Sequence, residues 1–187
     1  MVRYMVLKNA NKKAIILVLF ILFCCKGLYS QNEVLWRPDS KLKWSDFLGR
    51  PDSSTEFGAL SYTVMDLKAH SDGLDKMTYT VTAIFDKNQS WVRLRSEVGL
   101  QHEQGHFNIT EIYTRKFRAA LAAYKLKTST FESDINRLFN KIDKERKQMQ
   151  HKYDHETDFS RNVVMQNFWT KKIDRELKDL SEWAYIP

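Results

Sequence analysis

Cysteine is nearly absent from this chain of 187 residues: the only two, Cys24 and Cys25, sit side by side within the first 30 positions. There Arg3, Lys8, Lys12 and Lys13 precede an apolar run from Ala14 to Cys25, followed by Lys26-Gly27-Leu28-Tyr29-Ser30. This is the pattern of a secretory signal peptide, with cleavage expected at Ser30-Gln31. The apolar run has 12 residues, against the roughly 20 that a spanning helix needs, so no stable transmembrane segment is expected in the mature chain. Lipid attachment at Cys24 or Cys25 is the lesser alternative, because Phe23 and Cys24 are poor matches for the small residue expected before a lipidated cysteine. Loss of residues 1–30 removes both thiols. That excludes a disulfide framework and a thiolate nucleophile, and leaves any metal to His, Asp and Glu.

A large charge of one sign is also missing once the leader is set aside. The formal net charge is +7, but residues 1–30 hold five basic and no acidic side chains, and the remaining 157 residues carry 25 basic against 23 acidic. A near-neutral mature chain excludes nucleic acid as the default partner. Internal repeats and low-complexity tracts are absent, and after Ser90 no proline occurs before Pro187. That long proline-free stretch leaves room for uninterrupted helices.

Residues 31–187 are enough for a single domain with its own core. Their first third reads as extended and turn-rich, with Trp36-Arg37-Pro38-Asp39 and Gly49-Arg50-Pro51-Asp52-Ser53-Ser54 around the apolar segment Leu42 to Leu48. Ser61 to Leu67 and Met77 to Phe85 read as strands, and Ser71-Asp72-Gly73 supplies turn chemistry for an antiparallel hairpin. Helical periodicity then predicts three helices. The first spans Ser96 to Tyr124, with Leu100, Phe107, Phe117 and Leu121 as apolar surface. The second spans Phe131 to Tyr153, with Ile135, Leu138, Phe139, Ile142 and Met149. The third spans Asn162 to Trp183, with Met165, Phe168, Trp169, Ile173 and Leu177. A small antiparallel sheet followed by about three helices is an α+β order.

The chemistry concentrates in His102-Glu103-Gln104-Gly105-His106. Chance produces the pattern His-Glu-two residues-His in a chain of this length with odds of about one per cent. On a helix His102 and His106 share one face, so both imidazoles reach one metal, and Glu103 is placed to take a proton from a metal-activated water. The expectation is one zinc per chain and hydrolysis, most often of a peptide bond. An exposed strand edge beside such a helix would hold an extended peptide across the metal. Two histidines need a third protein ligand. The segment His151-Lys152-Tyr153-Asp154-His155-Glu156-Thr157-Asp158 supplies the candidates, at the end of a helix that folds back on the first through the Lys127 to Thr130 connection. Tyr153 is a candidate donor to a developing oxyanion. Glu111 lies about 180° around a straight helix from His102 and is expected in a salt bridge or behind the ligands. His70 is expected in an exposed loop.

Leu42-Lys43-Trp44-Ser45-Asp46-Phe47, Phe85-Asp86-Lys87-Asn88-Gln89-Ser90-Trp91-Val92, His102-Glu103-Gln104-Gly105-His106-Phe107, and Tyr153-Asp154 with Thr157 occur in the order found in a family that this chain resembles. It is a family of secreted bacterial proteins catalogued as a domain of unknown function and described as predicted zinc-dependent proteases. In that family the Tyr-Asp segment continues with Thr, one residue and then His, a natural third ligand. Here Phe159 stands at that place, and phenylalanine cannot bind zinc. Asp154, inside the matching segment, is therefore the first candidate, and His155 the second. The resemblance implies a zincin-like metallopeptidase, exported to the periplasm or outside the cell, acting on a peptide or protein substrate. The alternative is an envelope binding or scaffold protein that keeps the fold, and a structural metal, without turnover.

Overall fold

In a computed structural model, residues 32–71, 77–125 and 129–185 are described. The leader with its two cysteines, the Asp72-Gly73 part of the expected turn and the first half of the Lys127 to Thr130 connection lie outside them. In chain order the strands are β1 (Glu33–Leu35), β2 (Ala59–Leu60), β3 (Thr63–Ser71), β4 (Met77–Asp86) and β5 (Trp91–Val92). The helices are α1 (Glu97–Ala123), α2 (Phe131–Thr157) and α3 (Val163–Asp179), with short 3-10 turns at Trp44–Asp46 and Ser181–Trp183. This is an α+β fold. Among the described residues no helix is long and apolar enough to cross a membrane.

β3 and β4 form the expected antiparallel hairpin, in register from Thr63 opposite Phe85 to Ser71 opposite Met77. β1 pairs with the other edge of β4, giving the order β1-β4-β3, and β2 pairs with β5 in a separate two-stranded ladder. The hairpin strand β3 runs on through His70, which pairs with Thr78 rather than sitting in a loop. Alternation explains the inner face: Met65 and Leu67 of β3 are buried, while Asp66 between them and Lys68 after them are not.

α1 is the hub of the molecule, packed on β3, β4, α2 and α3. Every residue from Phe107 to Arg115 is buried except Asn108, so the helix has no broad solvent face. Ile109, Ile112 and Phe117 meet Ile135, Phe139 and Ile142 of α2, Trp169 and Ile173 of α3, and Met65, Leu67 and Val81 of the sheet. A second cluster joins Phe107 to Phe85, Ala83, Trp36, Leu42 and Phe47. The polar positions on α1 hold the N-terminal segment in place, since Trp36 Nε1 donates to Asn108 Oδ1 at 2.9 Å and Gln104 Oε1 accepts from the Leu42 amide at 2.9 Å. Glu111, the most deeply buried charged group described on α1, is paired with Arg115 and Arg118, each at 2.9 Å, which satisfies the salt-bridge expectation. Phe168 differs from expectation. Trp169 takes the core position on α3 and Phe168 is turned to solvent.

The ends of the helices aim them. Ser96 caps α1 by accepting from the Gly99 amide, and Asn162 caps α3 by accepting from the Met165 amide. Between α2 and α3 the chain reverses through three consecutive left-handed residues, Asp158, Phe159 and Ser160, with φ of 49°, 50° and 72°. None is glycine, and such residues cost about 1 kcal/mol or more each. Backbone bonds from Phe159 N to Asp154 O and from Asn162 N to Thr157 O, both 2.9 Å, hold the turn closed. It brings the first turns of α3 against the end of α2.

Candidate metal centre

The periodicity of α1 sets His102 and His106 one turn apart, and their rings meet edge to face with centroids 4.7 Å apart. α2 runs back along α1, so that its Gln150 reaches His106 and its Thr157 reaches His102. Asp154, between them, aims Oδ1 at both imidazoles: 3.1 Å from His102 Nε2 and 2.9 Å from His106 Nε2. The two Nε2 atoms are themselves 3.1 Å apart. His102, His106 and Asp154 thus form a group able to hold a metal ion. A tetrahedral site with bonds of about 2.0–2.1 Å has donor–donor edges of about 3.3 Å, so the observed triangle needs to spread by only a few tenths of an ångström. Two imidazoles and a carboxylate also suit a divalent metal chemically.

The opposite ring nitrogens determine which tautomer faces the group. Gln150 Nε2 donates to the His106 carbonyl at 3.0 Å, which turns its Oε1 toward His106 Nδ1. A carbonyl oxygen only accepts, so Nδ1 carries a proton and Nε2 is the nitrogen turned toward the group. Around His102 the arrangement closes on itself. Tyr153 donates its hydroxyl to the His102 carbonyl at 3.2 Å and accepts from Gln166 Nε2 at 2.7 Å, leaving Gln166 Oε1 to accept from His102 Nδ1 at 3.0 Å. The Tyr153 ring lies flat on the His102 ring, with centroids 4.5 Å apart and an interplanar angle of 16°. Each histidine is therefore oriented by a glutamine on another helix, the support that metal-binding imidazoles require.

Gly105 makes this stacking possible. A Cβ at that position would lie 2.7 Å from Tyr153 Cζ and 3.0 Å from its Cε1, inside van der Waals contact. No other residue type leaves that space on α1 open.

Charge and burial set the protonation states without metal. Burial disfavours the Asp154 carboxylate, but hydrogen bonds from His102 and His106 and their charges outweigh it and hold the carboxyl well below the usual range. Burial likewise disfavours protonated His106, yet the bond to Asp154 and the charges of Asp154 and Glu103 raise it to about 9. Burial pushes the Tyr153 hydroxyl up, against the opposing bond from Gln166, so it stays a donor. Access is one-sided: the His102 side chain is 5% exposed and that of Asp154 is 25% exposed, so a further ligand would approach over Asp154.

Glu103 lies beside this group, buried, with Oε2 lacking any hydrogen-bond partner, the one such side-chain atom among the described residues. An unsatisfied buried carboxylate oxygen costs free energy and calls for a functional or water-mediated explanation. The other sequence candidates fall elsewhere. His151 and His155 are exposed and outside the group. Glu156 accepts from Trp169 Nε1 at 2.8 Å, and Asp158 pairs with Arg161. Phe159 faces Phe57. Sequence reasoning passed over Gln150 and Gln166. A signal for the first existed: Gln150, Tyr153, Asp154 and Thr157 form an i, i+3, i+4, i+7 stripe, a polar seam on the buried face of α2.

An α+β fold with a partly buried two-histidine, one-carboxylate group and an adjacent buried carboxylate with an unpartnered oxygen is a candidate metalloprotein. Residues 74–160 match the model of a family described as a bacterial protein of unknown function, DUF922. That span contains His102, Glu103, His106 and Asp154, and ends before α3 and Gln166. The family's description assigns no activity. No curated protein and no solved structure was found to match the chain.

Proposed function

We propose that the protein is an exported, zinc-dependent hydrolase of peptide bonds, with one zinc per chain held by His102, His106 and Asp154. Export rests on the leader at residues 1–30, and it places the peptide or protein substrate in the envelope or outside the cell. Zinc bound there would supply Lewis acidity that activates water and polarises a carbonyl. The roles of the chain's own residues follow from their bonds. His102 and His106 present Nε2 because Gln166 and Gln150 hold the proton on Nδ1. Asp154 supplies the compensating negative charge. Tyr153 has its hydroxyl committed to the His102 carbonyl, which makes it a positioning residue in this reading and leaves Glu103 as the catalytic residue.

The single observation that carries the proposal is Glu103 Oε2, a buried carboxylate oxygen with no partner beside three converged ligand atoms. There it can accept a proton from water and return it to the leaving nitrogen. The commitment of the Tyr153 hydroxyl also favours the second reading, a scaffold that retains a metal without turnover. Glu103→Gln separates the two. A hydrolase loses peptidase activity by about a hundredfold or more while keeping its metal and its melting temperature. Unchanged activity in the variant sinks the general-base assignment.

A further inference from the structure

Two aromatic rings from the chain segments that flank the site remain partly exposed. Phe57 and Phe159 meet with centroids 5.1 Å apart and planes inclined by 34°, yet stay 41% and 42% exposed. They come from the two chain segments that border the metal centre. Phe57 begins a segment tied to the link between β5 and α1, where the Gly58 carbonyl accepts from the Arg93 and Leu94 amides at 2.7 and 2.9 Å. That segment continues to Ser61, whose hydroxyl reaches the Glu103 carbonyl at 3.5 Å. Phe159 follows the last turn of α2, which carries Asp154 and Thr157, and Thr157 Oγ1 lies 3.4 Å from His102 Nδ1. The Phe57–Phe159 contact therefore joins the segment that reaches Glu103 to the end of α2, the helix that carries the more exposed Asp154.

Phe159 is presented, not merely left over. It occupies the middle of the three left-handed residues, and the Arg161 guanidinium lies 5.8 Å from its ring while pairing with Asp158 at 2.7 Å. A turn that holds a large apolar side chain at the surface beside a reactive centre fits recognition better than packing, because burial would stabilise the ring more.

We propose that Phe57 and Phe159 form an apolar subsite that selects peptides with a large apolar side chain next to the bond that is cut. This deepens the hydrolase reading and rests on it for the bond that is cut, while the recognition itself is measurable without turnover. The test uses the full-length Glu103→Gln protein loaded with zinc, and two fluorescent alanine-based hexapeptides that differ only in a central phenylalanine or aspartate. By anisotropy the phenylalanine peptide binds more tightly by about tenfold. The preference is lost in added Phe159→Ala or Phe57→Ala, kept in Phe159→Leu, and zinc content is the same in all. Equal affinities, absence of binding to either peptide, or a preference that survives both alanine changes overturns the subsite. Co-sedimentation with anionic vesicles that Phe159→Ala abolishes, alongside equal peptide affinities, would assign the rings to a membrane surface and overturn it as well. Turnover by the native protein is scored separately. Preference without cleavage keeps the subsite and retires the hydrolase, whereas cleavage without preference does the reverse.

Discussion

Replacing Gly105 by alanine is the sharpest test of how the two histidines are held, because two principles predict opposite signs. In an exposed helix interior, Gly→Ala stabilises by about 1 kcal/mol through helix propensity. At position 105 the new Cβ would lie 2.7 Å from Tyr153 Cζ and 3.0 Å from Cε1. The tyrosine has nowhere to go: it is fully buried, stacked on His102 at 4.5 Å and edge-on to Trp169 at 5.3 Å. Relieving such an overlap costs about 1–3 kcal/mol, and loss of the bond to the His102 carbonyl adds about 1 kcal/mol. Set against the propensity gain, the net is a destabilisation of about 1–3 kcal/mol, which in a chain of this size lowers the melting temperature by several degrees. Displacement of Tyr153 also frees Gln166, so metal affinity falls by about 10- to 100-fold. Thermal unfolding of metal-free protein and chelator competition on the loaded form read the two effects separately. Adding Tyr153→Phe, which removes the hydroxyl oxygen, the atom nearest the added Cβ, recovers part of the lost stability. A Gly105→Ala protein that is more stable than the parent, with unchanged metal affinity, would refute the close approach of Tyr153 to α1.

Gln150→Leu and Gln166→Leu each remove the acceptor that orients one histidine, and each lowers metal affinity by about 10- to 100-fold in chelator competition without abolishing the fold. Affinity equal to the parent's in both would show that the glutamines do not hold the rings. In metal-free protein His106 is raised from 6.5 to about 9. The stability this gives is fully present below pH 6.5 and is lost as pH rises through about 9. Metal must displace that proton, so apparent affinity climbs with pH up to about 9, and titration calorimetry in buffers of different ionisation enthalpy records proton release. A pH-independent affinity between 6.5 and 9 would contradict the protonated state of His106.

Long periodic elements were legible in the sequence and short ones were not. The hairpin and the three helices announce themselves through alternation and through apolar residues three and four apart, and their centres agree with the structure to within a few residues. β1, β2 and β5 have three, two and two residues, too few for any period to register. Phe168 shows the limit of periodicity: Phe168 and Trp169 both fit an apolar stripe, and packing chose the tryptophan. Within the site, His102 and His106 were legible because helix geometry alone brings them together. Asp154 depended on a pairing across 48 positions from His106 to the far end of α2, which the motif order suggested and spacing could not decide. Gln150 and Gln166 carry no motif of their own, and their function exists only once three helices converge.

Elemental analysis of the purified protein, beside Asp154→Ala and His102→Ala, tests the central claim most directly. The account predicts about one zinc per chain in the native protein, with occupancy lost in His102→Ala and sharply reduced in Asp154→Ala. A native protein without bound metal after exposure to zinc, or full occupancy retained in both variants, would contradict it.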